Sequence, residues 1–289
     1  MVDKIMDRAS DSHIVGSKNF TAVAINTASK AGAWIRSKLG DTLHIHQKYS
    51  MHDLVTEIDK GSEMMIRNLI LTHFPTHAFL GEEGVQPGPA ASTQAIEETR
   101  DAEYLWIVDP IDGTTNYIHG FPFFCVSIAL AFRGEIIVGV IYDPAKDELF
   151  VAEKGKGAYL SGKQIKVSTD EQLSNSLVAT GLPADHEYSL PLNLKGFQAV
   201  APKVRNIRIA GSAALHMAYV AAGRLSGFWE LGLNVWDVAA GVLLIQESGG
   251  EVTDTSGNAY HLGVRHILAT NGKIHQQLRE QLQLAEATG

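Results

Sequence analysis

At 289 residues the chain exceeds the size that one hydrophobic core usually supports, so two halves or two domains are expected. Its composition, 45% hydrophobic and 19% charged, is globular and excludes a disordered or coiled-coil chain. The net charge of −8 gives no indication of a surface for nucleic acid or anionic membranes. The single cysteine, Cys125, excludes a disulfide framework, and no apolar stretch approaches the roughly 20 residues that span a bilayer. We therefore expect a cytoplasmic protein with no nucleic-acid or membrane partner.

Two amphipathic helices are predicted near the N-terminus. Apolar residues recur at helical spacing from Phe20 to Leu39, and this segment ends near Gly40. A second helix is predicted from about Glu57 to Thr72, with Pro75 just beyond its end. We interpret the preceding residues 1–17 as a mobile N-terminal extension.

Short apolar runs predict strands in the first half of the chain. The predicted strands are Ala78–Leu80, Leu105–Val108, Phe124–Phe132, Ile136–Tyr142 and Glu148–Ala152. Tight turns separate the last three, which indicates an antiparallel meander. The segment from Gln86 to Arg100, rich in Pro, Gly, Ala, Ser and Glu, is predicted to be a surface loop.

Past about Glu153 the pattern changes to strands that alternate with helices, which is typical of an α/β arrangement. The predicted elements are strands at Leu177–Thr180, Ile207–Ala210 and Ser226–Glu230 and helices at Ser212–Ala222 and Trp236–Ser248. The sequence therefore predicts an N-terminal α+β half, residues 18–152, that carries a metal and phosphate site. A C-terminal α/β half, residues 153–289, is predicted to carry the residues that line the substrate.

Acidic residues stand where predicted strands end and helices begin. Glu82 follows one strand, Asp109 and Asp112 follow another, and Asp237 opens a helix. Loops at such positions converge on functional sites. If these carboxylates meet, their repulsion costs on the order of several kcal/mol unless cations neutralise them, and hard oxygen ligands select Mg²⁺, Mn²⁺ or Ca²⁺. The pattern predicts a divalent-metal cluster.

A phosphate-binding turn is predicted directly after Asp112. The segment Gly113–Thr115 leads into a helix start, where free backbone amides and the positive end of the helix dipole favour an anion. Metal ions beside such a turn would serve phosphoryl transfer, and they would also let an acidic protein bind a phosphate.

Four segments resemble motifs of the inositol monophosphatase family. Trp106–Pro122 resembles its first signature and Trp236–Gly250 its second, while Gly81–Glu83 and Asp53–Asp59 resemble two further motifs. The resemblance extends from about Phe20 to the C-terminus. It implies a layered αβαβα fold of mixed α/β and α+β class, two or three Mg²⁺ ions per subunit that Mn²⁺ could replace, inhibition by lithium and a homodimer.

The resemblance also implies roles for individual residues. The implied metal ligands are Glu82, Asp109, the Ile111 carbonyl, Asp112 and Asp237, with Asp59 near a weaker third metal. Glu82 and Thr114 would orient the attacking water, so the implied catalytic residues are Glu82, Thr114 and Asp59. The implied phosphate and substrate contacts are Asp112, Gly113, Thr114, Gly211, Ala213, Glu230 and Asp237. Gly84 departs from the family, which usually has Ser or Thr after the paired glutamates.

Simpler interpretations stay open for several of these residues. Thr56 and Asp59 also match a capping box, in which Asp59 satisfies only helix amides. Asp237 could be an ordinary charge at a helix N-terminus, and Ser212 is interpreted as a helix N-cap. The segment Gly157–Gln164 resembles a P-loop but has Gln at the hydroxyl position, so a hairpin turn is the favoured interpretation.

The leading hypothesis is Mg²⁺-dependent hydrolysis of a small phosphorylated polyol or sugar, above all inositol monophosphate, by in-line attack of a metal-activated water. Alternative substrates are fructose 1,6-bisphosphate, a 3′-phosphoadenosine nucleotide, histidinol phosphate and NADP. A second hypothesis is a binding or regulatory protein that retains the fold. A third, a P-loop nucleotide enzyme, would require ATP binding that depends on Lys163.

Overall fold

The computed structural model describes residues 19–40, 45–48 and 54–289, with residues 45–47 and 54 described by their backbone alone. The predicted N-terminal extension, residues 1–17, and Asp53 of the fourth motif lie outside the described residues. Within the described ranges, no helix has both the length and the hydrophobicity to cross a bilayer.

Eight α-helices occur in the described part of the chain. They are α1 Phe20–Ser37, α2 Glu57–His73, α3 Pro89–Glu98, α4 Thr114–Ile118, α5 Ser189–Val200, α6 Ala213–Ala221, α7 Val235–Glu247 and α8 His275–Leu284. The four long helices predicted from periodicity are confirmed as α1, α2, α6 and α7. The predicted helix start after Gly113 is also confirmed, as the short helix α4.

The prediction of a surface loop from Gln86 to Arg100 was wrong, because helix α3 occupies most of that segment. Pro89 stands at the first helical position, where its fixed φ and its missing N–H suit a helix start. Ser92 is the buried residue of α3, so the helix has no apolar stripe to reveal its periodicity.

The first large sheet has seven strands in chain order. They are β3 Ala78–Gly81, β4 Tyr104–Asp112, β5 Cys125–Phe132, β6 Glu135–Asp143, β7 Glu148–Glu153, β8 Ala158–Leu160 and β9 Lys163–Gln164. β3 pairs parallel to β4 and every later pair is antiparallel, so the predicted meander is confirmed. Pairing continues to Gln164, beyond the predicted division at residues 152 and 153. Two short strands before this sheet, β1 Ile45–Gln47 and β2 Leu54–Thr56, form a separate antiparallel pair.

The second large sheet has five strands, β10 Leu177–Thr180, β11 Asn206–Arg208, β12 Gly227–Glu230, β13 Glu251–Asp254 and β14 Ile267–Thr270. Their order is β11, β10, β12, β14, β13; the first three are mutually parallel and the other pairs are antiparallel. The strands predicted at Leu177, Ile207 and Ser226 are therefore confirmed within two residues at each end.

Three hydrophobic clusters divide the molecule into layers, which confirms the predicted αβαβα arrangement. One cluster lies between α1, α2 and the seven-stranded sheet, and the largest lies between that sheet, α6, α7 and the five-stranded sheet. The third lies between the five-stranded sheet and α5 and α8. Strand β4 shows how one sheet serves two layers, because Trp106 and Val108 face α1 and α2 while Leu105 and Ile107 face α6 and α7.

The central layer is packed tightly where α7 crosses β6. A Cβ added to Gly139 would stand 2.7 Å from the Ala240 carbonyl oxygen, so glycine is required for the helix to approach this closely. The segment that resembled a P-loop is the β8–β9 hairpin. Ser161 and Gly162 both have positive φ, which is typical of a type I′ turn. A strand follows this turn instead of the long helix that a P-loop requires.

Candidate active site

One cavity of about 190 Å³ brings together every predicted site residue except Asp59. It lies where β4 ends and where α4, α6 and α7 begin. The described residues that line it are Glu82, Asp109, Ile111, Asp112, Gly113, Thr114, Gly181, Leu182, Gly211, Ser212, Ala213, Glu230, Leu233 and Asp237. The two large sheets thus contribute residues to the same site.

Asp109 and Asp112 point into the cavity because the pairing of β4 with β5 becomes irregular between them. Asp109 is 2% exposed, and its Oδ1 accepts a hydrogen bond from the Ile111 amide at 2.9 Å. Burial, followed by the negative charges of Glu82 and Asp112, raises the pKa of Asp109 well above its ordinary value.

Asp112 joins the first sheet to the second half of the chain. Its Oδ2 accepts hydrogen bonds from Ser212 Oγ and from the Ala214 amide, each at 2.6 Å, at the N-terminal end of α6. Burial raises the pKa of Asp112 to about 6, although these hydrogen bonds act in the opposite direction. Ser212 is therefore the predicted N-cap, since its Oγ accepts from the Leu215 amide at 3.3 Å, and it also donates to a candidate metal ligand.

Asp237 stands in the first turn of α7, where its Oδ2 accepts from the Asn234 amide at 2.7 Å. Burial and the charges of Glu82 and Asp112 raise the pKa of Asp237 well above its ordinary value. The Arg265 guanidinium opposes this shift and also donates to the carbonyl oxygens of Gly232 and Leu233, each at 2.9 Å. Arg265 thereby fixes the turn that leads into α7.

Glu230 ends β12 with its side chain 7% exposed inside the cavity wall. A Cβ added to Gly181, directly after β10, would overlap the Glu230 carboxylate, so glycine is required at this position. Burial and the negative charges of Asp237 and Asp112 raise the pKa of Glu230 well above its ordinary value.

Glu82 stands at the mouth of the cavity in a short turn after β3. Lys48 bonds to it and to Glu83, with its Nζ 2.9 Å from Glu82 Oε1 and 2.6 Å from Glu83 Oε1. Burial alone would lower the pKa of Lys48, but the two carboxylates outweigh it and raise that pKa. Glu63 stabilises this turn, because its buried carboxylate accepts a hydrogen bond from the Glu83 amide at 2.7 Å.

Asp59 lies beside the cavity, where it caps α2 and also contacts Thr114. Its Oδ2 accepts from the Thr56 amide at 2.7 Å and from Thr56 Oγ1 at 2.6 Å, so the capping box is present. Its Oδ1 accepts from Thr114 Oγ1 at 2.9 Å. The same Thr114 hydroxyl is 3.1 Å from the Ile111 carbonyl oxygen.

The phosphate turn is built on Gly113, whose φ of +99° belongs to the left-handed region that favours glycine. A Cβ at this position would stand 3.0 Å from the Phe123 carbonyl oxygen and 3.2 Å from that of Gly211. Asn116 fixes the same neighbours, because its Nδ2 lies 2.7 Å from the carbonyl oxygens of Phe123 and Ala210 and 3.3 Å from that of Gly211. One amide group therefore holds the phosphate turn against the loop that carries Gly211.

We expect the change Asn116→Asp to lower kcat/KM by about tenfold or more. A carboxylate cannot donate to the carbonyl oxygens of Phe123 and Ala210, and each hydrogen bond lost from a buried acceptor costs roughly 1–3 kcal/mol. Steady-state kinetics on a phosphate monoester measure the effect. Asn68→Asp, on the exposed face of α2, is the matched control and should leave kcat/KM unchanged. A value for Asn116→Asp within twofold of wild type would contradict the role given to this amide.

The donor set fits a divalent metal by its chemistry. The four carboxylates predicted as ligands and Ile111 line one cavity together with Glu230, and hard oxygen donors of this kind bind Mg²⁺ or Mn²⁺. Among the described residues, no three His, Cys, Asp or Glu side chains have the geometry of a formed metal site. Each carboxylate is instead bonded to a local donor: Asp109 to the Ile111 amide, Asp112 to Ser212, Asp237 to the Asn234 amide and Glu82 to Lys48.

Four residues that line the cavity were not predicted as site residues, namely Gly181, Leu182, Ser212 and Leu233. Gly181, Leu182 and Leu233 carry no group that suggests chemistry, so no sequence signal marks them. Ser212 could have been found, because an N-cap hydroxyl that accepts a helix amide still has its own hydrogen to donate.

Comparison with known proteins agrees with this geometry. A family model described as the inositol monophosphatase family matches residues 17–287. The chain belongs to the inositol monophosphatase family. Members of this family are phosphoric monoester hydrolases that are generally metal-dependent and act on small phosphorylated substrates, so the predicted family and enzyme class are confirmed.

Similar proteins cover nearly the whole chain. Inositol monophosphatase 2 of Solanum lycopersicum is 45% identical over 259 residues, which are 89% of this chain and 95% of that protein. A Pseudomonas aeruginosa protein named Nus factor SuhB is 40% identical over 266 residues, 90% of this chain and 94% of its own length. The solved structure of inositol monophosphatase from Anabaena is 41% identical with a TM-score of 0.80, and the match covers 92% of this chain and 95% of that one.

Proposed function

We propose that this member of the inositol monophosphatase family hydrolyses inositol monophosphate, with Mg²⁺ as its cofactor. The observation that carries the proposal is the convergence of Glu82, Asp109, Asp112 and Asp237 beside the Gly113 turn in one cavity. Mg²⁺, when bound, would polarise the phosphoryl oxygens and lower the pKa of a water molecule at the site. Glu82, Asp109, the Ile111 carbonyl, Asp112 and Asp237 would hold it.

The phosphate group is assigned to the turn between β4 and α4. Backbone amides at Gly113 and Thr114 head the short helix α4, and amides at a helix N-terminus bind anions. Because Asn116 fixes this turn against the loop at Gly211, both walls of the cavity hold their positions as the substrate enters. The turn therefore binds and orients the group that reacts.

Thr114, Asp59 and Glu82 are assigned to the attacking water. The Thr114 hydroxyl donates to Asp59, so its oxygen lone pairs are free to accept a hydrogen bond from a water in the cavity. Glu82, which lines the same cavity, supplies a carboxylate that can accept the second hydrogen. The two groups would orient the water in line with the ester bond.

The alcohol portion is assigned to the wall formed by Gly211, Ala213, Glu230 and Asp237. A carboxylate such as that of Glu230 accepts hydrogen bonds from neighbouring hydroxyls, which suits a polyol. This residue favours a polyol such as inositol as the alcohol portion. We further propose inhibition by lithium at a metal position, two or three metal ions per subunit and a homodimer, as the family resemblance implies, and a cytoplasmic location, as the composition suggests.

Phosphate release tests the proposal directly. Wild-type enzyme with Mg²⁺ is expected to release phosphate from inositol 1-phosphate with a kcat/KM at least about tenfold above that for fructose 1,6-bisphosphate, NADP or histidinol phosphate. Exhaustive chelation should abolish release, and added Mg²⁺ should restore it. Phosphate release that persists after chelation would exclude the metal-dependent mechanism. A higher kcat/KM for another ester would show that this ester is preferred over inositol 1-phosphate.

A regulatory role is the second candidate, because one relative at 40% identity is named Nus factor SuhB. The carboxylates retained in the cavity support catalysis in this chain, and a regulatory role would not require these carboxylates. Asp109→Asn, which should lose turnover, separates the two: a regulatory role would survive this change.

A further inference from the structure

A second cavity, of about 220 Å³, opens beside the catalytic cavity. The two share Glu82, Leu182, Glu230, Leu233 and Asp237, so the second cavity lies directly beside the catalytic one. The volume is several times the roughly 30 Å³ of one water molecule in the liquid, which is enough for a group of ring size.

Part of the lining of this second cavity belongs to family motifs, namely Glu82, Trp236 and Asp237, but two of its segments lie outside all four motifs. One wall is residues 85–88 with Ser92 of α3, the segment that the sequence had suggested to be a surface loop. The opposite wall is Leu182–Ala184, which follows β10. Because the motifs hold the reacting group, segments that lie beyond it can select the rest of the substrate.

The charge of the second cavity disfavours an anion. Among the described residues that line it, Lys48 is the one cation and Glu82, Glu230 and Asp237 are acidic. Lys48 is already bonded to Glu82 and Glu83. A second phosphate would therefore find no unengaged cation among these residues, whereas an uncharged group with hydroxyls needs none.

The mouth between the cavities offers both apolar and polar contacts. Leu182 is 53% exposed there, and an exposed leucine at a cleft gains free energy when a ring covers it. Ser92 is 2% exposed in the wall, and its Oγ has no hydrogen-bond partner among the described residues. A rotation of this hydroxyl could satisfy a sugar hydroxyl.

We propose that the second cavity is a subsite for an uncharged sugar ring joined to the phosphorylated ring. The inference rests on the proposed phosphatase function and extends it, because it gives the enzyme monophosphates of two-ring alcohols as substrates. The phosphorylated ring occupies the catalytic cavity, the neutral ring lies against Leu182, and residues 85–88 and 182–184 determine how large that ring can be.

A matched pair of esters tests the subsite. Glucose 6-phosphate and trehalose 6-phosphate share the phosphorylated ring, and the second carries one additional neutral ring. Wild-type enzyme is expected to hydrolyse the two-ring ester with a kcat/KM at least equal to that of the one-ring ester. Ala184→Phe, which fills the second cavity alone, should lower kcat/KM for trehalose 6-phosphate by about tenfold or more and change that for glucose 6-phosphate less than about twofold.

Ala33→Phe, on the exposed face of α1 and outside both cavities, is the matched control and should alter neither ester. Retained hydrolysis of glucose 6-phosphate by Ala184→Phe proves that the variant is folded. The subsite is refuted if Ala184→Phe affects both esters equally, or if wild type prefers the one-ring ester by more than about tenfold. A crystal structure of the enzyme soaked with trehalose 6-phosphate tests the subsite independently of turnover. A neutral ring in the second cavity would support the subsite. A neutral ring bound elsewhere would refute it, even if the enzyme showed no phosphatase activity.

Discussion

Replacing Asp109 by Asn is expected to lower kcat by about a thousandfold or more. This carboxylate is buried at the centre of the acidic cluster, and an amide cannot supply the charge that holds a divalent cation. Charge stabilisation by a bound cation is worth several kcal/mol in the transition state, and each 1.36 kcal/mol is a factor of ten. Steady-state phosphate release at saturating Mg²⁺ and substrate measures the loss.

Two controls make the Asp109 result specific. Asp101→Asn changes an exposed carboxylate outside the cavity and should leave kcat unchanged. The melting temperature of metal-free Asp109→Asn should equal or exceed that of wild type, because the change removes a charge repelled by Glu82 and Asp112. A variant that keeps more than about a tenth of wild-type kcat would show that Asp109 is not a ligand of a required metal.

Removing divalent metal with a chelator is expected to abolish turnover and to make the contribution of the carboxylate cluster to the free energy of unfolding fall as the pH rises from about 4 to 7. Burial raises the pKa of Asp112 to about 6 and that of Glu83 to about 7, from ordinary values of 3.8 and 4.5. Between the unfolded and folded pKa values the native state binds more protons than the unfolded state. The contribution of these groups to the free energy of unfolding is therefore complete below about pH 4 and is lost as the pH rises through their folded pKa values.

Denaturant titrations at a series of pH values, with and without Mg²⁺, check this prediction. A cation that binds only the native state adds about 2.7 kcal/mol when its concentration is a hundred times its Kd, so the two curves should diverge towards neutral pH. Asp109→Asn, with one fewer repelled charge, should have a shallower slope in chelator than wild type. Burial lowers the pKa of His216 and His275, which opposes this trend equally in both proteins, so equal slopes for wild type and Asp109→Asn in chelator would contradict the repulsion inferred for the carboxylate cluster.

Most of the site could be predicted from the sequence because its residues stand at predictable places. Asp109 and Asp112 follow a strongly apolar strand, and Asp237 follows the strand and turn that introduce an apolar helix. The family resemblance then implied that these residues are ligands of the same metal centre. Their meeting in one cavity needed the structure, since β4 and α7 are far apart in the chain.

The rest could not be predicted because its signals are weak or shared. Helix α3 buries little more than Ser92, so it lacks the apolar stripe on which helix prediction depends, and Gly88 and Pro89 look like turn residues. Gly181 and Leu182 matter only through shape. The capping box at Asp59 and its bond to Thr114 depend on the same carboxylate, and sequence alone could not show that both exist.

The hydrogen bonds that Asp112 accepts from Ser212 and from the Ala214 amide connect the first half of the chain to the second. A cut between the two sheets would remove the hydrogen-bond donors of one candidate metal ligand as well as the far wall of the cavity. The N-terminal fragment would keep the phosphate turn but lack Asp237, and the C-terminal fragment would lack the turn, so activity regained on mixing the separately produced fragments would report their reassembly.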